Sequence, residues 1–207
     1  MAEPKPRCRL YLQVPATHSA KLEASFAQTV AGAHPACLLL CQDEEPFDES
    51  FARRLVNLAH ERGIACLIES DIECALRIGA DGVHIDADSG AYARARDRLG
   101  KEAIIGAACG LSRHGAMALA EAGADYVAFA IDRIDQIDQL ADIIAWWSGI
   151  FVVPCVAWNV ETAEQAAGLA RLGADFVAPS NKIWQSEHPA PLIAAMESAI
   201  TEGRRAA

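Results

Sequence analysis

Short apolar runs alternate along the chain with Ala-rich stretches of helical spacing, and three of the junctions between them read alike. They are Arg77-Ile78-Gly79-Ala80-Asp81-Gly82-Val83, Glu121-Ala122-Gly123-Ala124-Asp125-Tyr126-Val127 and Arg171-Leu172-Gly173-Ala174-Asp175-Phe176-Val177. Glycine ends a helix at low cost because it accepts the left-handed conformation of the C-terminal cap. A small residue and Asp then turn the chain, and the apolar run that follows suits a strand covered on both faces. Helix–turn–strand units repeated in this way predict a parallel β/α architecture closed into a barrel. The pattern supports eight strands, near 8–14, 36–41, 64–68, 82–85, 103–107, 125–129, 151–156 and 175–178. The helices are expected near 19–32, 48–62, 71–78, 89–99, 112–122, 133–147, 161–172 and 189–202. In the sixth, Ile131, Ile134, Ile137 and Leu140 recur every third residue between Asp132, Asp135 and Asp138, which predicts an apolar stripe docked on the barrel and a solvated acidic face.

The chain of 207 residues is then read as a single (β/α)8 TIM-barrel domain, with residues 1–7 a flexible polar lead-in. A hydrophobic content of 52% supplies a sizeable core, and a net charge of −10 argues against a nucleic-acid footprint, which needs clustered Lys and Arg. No apolar run approaches the roughly 20 residues of a membrane span, so no membrane partner is expected. The N-terminus lacks the apolar core of a secretory signal, and a cytoplasmic location is expected. The seven cysteines (Cys8, Cys37, Cys41, Cys66, Cys74, Cys109 and Cys155) lie mostly in apolar runs and are read as reduced, buried thiols. A homodimer is open, with no residue marking its interface.

Such a barrel places chemistry where strands end and βα loops begin. The first strand offers Gln13 there, and the second Cys41, Gln42, Asp43, Glu44 and Glu45. The third offers Glu69, Ser70 and Asp71, the fourth His84, Asp86 and Asp88, and the fifth Cys109, Gly110 and Ser112. Asp132 and Arg133 follow the sixth, Trp158 and Asn159 the seventh, and Ser180, Asn181 and Lys182 the eighth. Two readings stand for most of these. His84 is a general base or a hydrogen-bonded structural histidine. Cys109 is a nucleophile or an inert small side chain. Asp71, Asp86 and Asp88 are oxygen ligands for a hard cation or solvated loop carboxylates. Trp158 stacks on a flat heterocycle or plugs the mouth. Gln13, Gln42, Asn159, Ser180 and Lys182 complete the candidate ligand contacts. Asp81, Asp125 and Asp175 belong to the opposite face and are read as turn formers.

From about Ile64 to Asn181 the chain resembles the thiamine phosphate synthase family, which includes the thiazole tautomerase. The resemblance is carried by Ala75-Leu76, by Ala80-Asp81-Gly82-Val83-His84, by Ile104-Ile105-Gly106, by Ala122 to Val127 and by Gly173-Ala174-Asp175, with Leu10-Tyr11-Leu12 fitting the first strand. It implies a barrel that joins a hydroxymethylpyrimidine diphosphate to a thiazole phosphate, with magnesium as cofactor and diphosphate released. Several elements of that site have no counterpart here. The family's Gln-x-Arg-x-Lys cluster aligns with Leu39-Leu40-Cys41-Gln42-Asp43, and its magnesium-binding Asn-Asp aligns with Glu69-Ser70. Its Gly-Gln-Glu-Asp aligns with Asp86-Ala87-Asp88-Ser89, so a metal site would be rebuilt one residue out of register. The Thr-rich loop after the sixth strand is missing, and Trp158-Asn159 replaces the Gly-Gly that admits a phosphate. The tautomerase's loop histidine aligns with Gly110, and His114 lies a turn further on.

Two functions follow. One is a synthase-like transferase of thiamine biosynthesis whose diphosphate-binding residues are lost and whose turnover is weak or absent. The other is a non-catalytic barrel that binds a neutral small heterocycle or a partner protein.

Overall fold

Gly79 and Gly123 end their helices with φ of +77° and +102°, as the repeated junctions predict. The Asp that follows each junction does more than turn the chain. Asp81 donates its backbone N–H to the Cys66 carbonyl at 2.7 Å and accepts the Cys66 N–H on its carboxylate at 2.7 Å. Asp125 clamps Ile105 in the same two ways at 2.9 and 2.8 Å, and Asp175 clamps Cys155 at 3.1 and 2.9 Å. In each case the carboxylate occupies the amide at the start of the neighbouring strand, a donor that would otherwise be left without a partner at the sheet's lower edge.

The computed structural model describes residues 8–17, 19–42, 47–131 and 133–203. The lead-in 1–7 and the candidates Asp43, Glu44, Glu45 and Asp132 lie outside them. The strands are β1 (Arg9–Pro15), β2 (Cys37–Cys41), β3 (Ala65–Glu69), β4 (Gly82–Asp86), β5 (Ile104–Gly110), β6 (Tyr126–Phe129), β7 (Cys155–Val160) and β8 (Phe176–Pro179). The helices are α1 (Ala20–Gly32), α2 (Glu49–His60), α3 (Ile72–Ile78), α4 (Ser89–Leu99), α5 (Arg113–Ala122), α6 (Ile137–Ile150), α7 (Ala163–Arg171) and α8 (Pro189–Gly203). All strands are parallel, in sequential order, and β1 closes on β8 through Leu10 opposite Val177. The chain therefore forms the predicted (β/α)8 barrel.

Alternation along the strands makes two apolar layers. Leu10, Leu38, Leu40, Cys66, Ile105 and Val177 face the helices, whereas Tyr11, Leu39, Leu67, Tyr126, Val156, Trp158 and Ala178 fill the barrel itself. Gly106 makes room for this filling, because a Cβ there would overlap the Tyr126 ring.

Most elements fall within a residue or two of their predicted limits; the exceptions are instructive. The seventh strand is expected at 151–156 but occupies Cys155–Val160. The apolar residues before it serve the end of α6 instead. Phe151 stacks on Trp147 with centroids 4.0 Å apart, and the Val153 carbonyl accepts the Trp147 indole N–H at 2.8 Å. Trp158 and Asn159 consequently belong to β7 rather than to the loop after it. The sixth helix is also displaced, since a 3-10 turn at Ile134–Gln136 precedes it and it runs on to Ile150. Its buried face is Leu140, Ile143, Ile144 and Trp147, so the predicted every-third-residue stripe gives way to true α-helical spacing.

Candidate functional site at the barrel mouth

His84, on β4, points into the barrel and is 4% exposed. Its Nδ1 lies 2.8 Å from the Tyr126 hydroxyl, and that hydroxyl lies 2.7 Å from the hydroxyl of Tyr11. Trp158 covers one face of the imidazole, with ring centroids 4.8 Å apart and planes 7° from parallel. The Tyr11 ring also packs against the indole, tilted, with centroids 5.0 Å apart. Burial lowers the His84 pKa to about 4, so the ring is neutral at neutral pH. Burial also drives both tyrosines well above their ordinary range. The interior thus holds a neutral relay, Tyr11–Tyr126–His84, roofed by an indole. Of the two readings for His84, its full burial and engaged Nδ1 match the structural one.

Carboxylates dominate the β3–β4 side. Glu69 closes β3, accepts the Gln42 N–H at 3.0 Å and is half-buried. Burial raises its carboxyl above the usual range, the Gln42 bond opposes this, and the charge of Asp86 adds to it. Glu69 and Asp86 are thus within electrostatic reach at the ends of adjacent strands. Asp71 and Asp88, read as cation ligands or solvated loop carboxylates, each also cap a helix with one carboxylate oxygen. Asp71 accepts the Cys74 N–H at 2.8 Å to cap α3, and Asp88 accepts the Ala91 N–H at 2.6 Å to cap α4. Among the described residues, no three His, Cys, Asp or Glu donors converge at the mouth. Glu69, not among the residues expected to bind a metal, lies level with His84 in the β3–β4 register, and its carboxylate feels the charge of Asp86.

Cys109 stands near the carboxyl end of β5, but its side chain does not face the barrel interior. It lies in the layer between barrel and helices, 5% exposed, and burial pushes its thiol up to about 12. Burial disfavours the thiolate that a nucleophilic cysteine would need.

The remaining candidates gather on the β1 and β6–β8 side. Gln13 donates to the Pro179 carbonyl at 3.1 Å, and its own carbonyl accepts the Trp184 indole N–H at 2.6 Å, so it ties β1 to the turn after β8. A cavity of about 300 Å³ is lined by Ile131, Arg133, Asn159, Glu161, Ser180, Asn181 and Lys182. Lys182 is exposed, Ser180 caps the short turn after β8, and Arg133 pairs with Asp135. Asn159 adopts φ of +60° and donates to the Ile131 carbonyl at 3.4 Å. Ser70 has φ of +56°, so both non-glycine residues with left-handed backbone among those described sit at the mouth, where such strain is commonly stored. The structure therefore brings Trp158, Asn159, Ser180 and Lys182 to one side and Gln42, Glu69 and Asp86 to the other.

These features define a parallel (β/α)8 barrel with a polar mouth at the carboxyl ends of its strands, the place where enzymes of this architecture carry their sites. The chain matches the family described as thiamine monophosphate synthase over residues 42–183, and it belongs to that family. It is 36% identical to a thiamine-phosphate synthase of Rhodospirillum centenum over 201 residues, covering 91% of this chain and 94% of that one. Against a thiamine-phosphate synthase of Erythrobacter litoralis the identity is 40% over 146 residues, covering 67% and 68% of the two chains. Among solved structures it superposes on a thiamine phosphate pyrophosphorylase of Pyrococcus furiosus with a TM-score of 0.74 and 18% identity, covering 94% and 96%. No helix among the described residues is long and apolar enough to cross a membrane.

Proposed function

We propose that this family member admits a heterocyclic ligand of the thiamine-precursor type at its mouth but performs the family's transfer reaction weakly or not at all. The observation that carries this reading is Trp158, which is 9% exposed, lies flat on His84 and belongs to β7 itself. An indole at that position occupies volume that an approaching phosphate would need. The strand ends reinforce it. From β1 to β5, no Lys or Arg stands between the last residue of a strand and the helix that follows. Among the loops that follow the strands, the fixed positive charge that could hold a diphosphate as it leaves is Arg133, already paired, and Lys182 on the far side; on the near side Arg94 and Arg98 of α4 line a cavity of about 600 Å³ with Gln42 and Glu69, and Arg98 is paired with Glu73. Loss of one preorganised donor costs about 100- to 1,000-fold in rate, and several are missing together.

The oxygen donors of Glu69 and Asp86 fit magnesium, which is commonly held by one or two carboxylates and completed by ligand phosphates. Bound there, the cation would neutralise phosphate oxygens, while Asp71 and Asp88 keep their capping roles. Ser180 and Asn181 would orient the ligand, and the roof of Trp158 would keep water from His84.

The test is a direct assay of pyrimidine diphosphate and thiazole phosphate with magnesium, run beside the Rhodospirillum centenum relative. The expected kcat/KM is at least about 100-fold below that of the relative. Turnover within tenfold of it would overturn the reading.

A further inference from the structure

We propose that His60, Cys66 and Asp81 form a binding site for a zinc-class divalent cation at the end of the barrel opposite the mouth. His60 is the last residue of α2, Cys66 lies on β3, and Asp81 is the turn residue before β4. One donor atom from each falls within 4.8 Å of the other two, and among the described residues this is the one place where three such donors converge. The His60 Nε2 is already 2.9 Å from the Asp81 carboxylate. That carboxylate is held in turn by the two-point clamp on Cys66, so the backbone that carries the thiol also orients the acid. Metal sites depend on such supporting contacts to their ligands.

The sister junctions provide an internal comparison. At Asp125 the clamped residue is Ile105, and the helix supplies Arg96, which donates to the carboxylate at 2.8 Å. An arginine and an isoleucine offer a cation nothing. At Asp175 the clamped residue is again a cysteine, Cys155, but no third donor joins it. The clamp is therefore structural in all three copies, and among the described residues only the first copy brings a histidine together with the thiol. The His60 and Asp81 side chains are 39% and 40% exposed, which leaves an entry path. A cavity of about 340 Å³, lined by His60, Gly63, Ile64, Ala65 and Asp81, opens on the imidazole and carboxylate with room for a water as fourth ligand, while Cys66 is fully buried.

Imidazole, thiolate and carboxylate with one water is a donor set that suits zinc and its tetrahedral preference, and the sulfur disfavours magnesium and calcium. Binding involves no redox change. The Cys66 thiol gives its proton to solvent and leaves its weak bond to the Ile64 carbonyl, now 3.7 Å, while sulfur and the imidazole nitrogen each donate an electron pair to the cation. Burial raises the Cys66 thiol well above its ordinary value, so the site fills with proton release. A bound ion would staple the end of α2 to two strands of the barrel, far from the mouth.

The test is titration of the full-length, reduced protein with cobalt(II), read by the thiolate-to-metal charge-transfer band in the near ultraviolet. The band should saturate at one equivalent, disappear on addition of zinc and be absent in Cys66→Ser. In His60→Gln, a surface change that leaves the clamp in place, affinity should fall by at least about tenfold. The thermal midpoint should rise by roughly 5–10 °C with zinc at a hundredfold excess over Kd. A protein with no charge-transfer band, or one whose band survives unchanged in Cys66→Ser, would overturn the proposal. If Cys66→Ser does not fold, His60→Gln decides, and undiminished affinity there would overturn it as well.

Discussion

The indole of Trp158 and the imidazole of His84 lie face to face at 4.8 Å, within 7° of parallel, although the residues belong to strands on different sides of the barrel. His84 is buried beneath this contact, and burial makes its protonation costly because it disfavours the charged ring.

A pH dependence of stability follows. His84 is held near 4 in the folded chain against 6.5 when unfolded, so the unfolded chain binds the extra proton first. The stability associated with the neutral ring is complete above pH 6.5 and is lost as pH falls towards 4, by about 3 kcal/mol over the window. Urea unfolding at a series of pH values should show this slope, and His84→Gln should flatten it. An unchanged slope in His84→Gln would assign the acid sensitivity to the carboxylates.

The Tyr126 hydroxyl is the hub of the relay, bonded to both Tyr11 and His84. Tyr126→Phe keeps the ring beside Gly106 and removes only the oxygen, leaving two buried polar groups short of a partner. A loss of about 1–3 kcal/mol is expected in equilibrium unfolding. Tyr11→Phe should cost less, because it leaves the Tyr126–His84 bond intact.

The architecture was legible because helix ends and buried strands write local signals. Gly79, Gly123 and the aspartates after them mark junctions that hold to within a residue. The seventh strand was misplaced because Phe151 and Val153 are as apolar as any strand residue, and their engagement by Trp147 is a tertiary fact. At the mouth, the chemical types were legible but the partnerships were not. Tyr11 and Tyr126 are 115 residues apart, and nothing local couples them to His84. Asp71 and Asp88 did carry a readable alternative, since an Asp immediately before a helical segment is a preferred cap. Cys109 was assigned to the mouth from its place in the sequence, whereas the alternation of β5 turns it towards the helices.

Thiol reactivity provides a sensitive check on this packing. All seven cysteines are buried thiols, and burial pushes those of Cys37, Cys109 and Cys155 up to about 12. A disulfide exchange reagent at neutral pH should therefore modify less than one thiol per native chain within minutes and all seven after unfolding. Rapid native labelling of Cys109, located by peptide mass, would restore the nucleophile reading.

Trp158→Gly separates the two roles open to the indole. The substitution removes the roof of His84, and a loss of about 3–5 kcal/mol is expected from the contacts and volume forfeited. It also opens the approach to the N-terminus of α7, where the helix dipole favours an anion. If Trp158 blocks that approach, the variant should bind thiazole phosphate more tightly than the parent chain in calorimetric titration. Transfer activity should nonetheless stay low, because no cation has been added to the ends of β1 to β5. If the indole is instead the platform on which a heterocycle stacks, binding by the parent should be lost in the variant. A variant that gained both affinity and turnover would show that one side chain had silenced an otherwise intact synthase site, and the missing cations would then have to be judged dispensable.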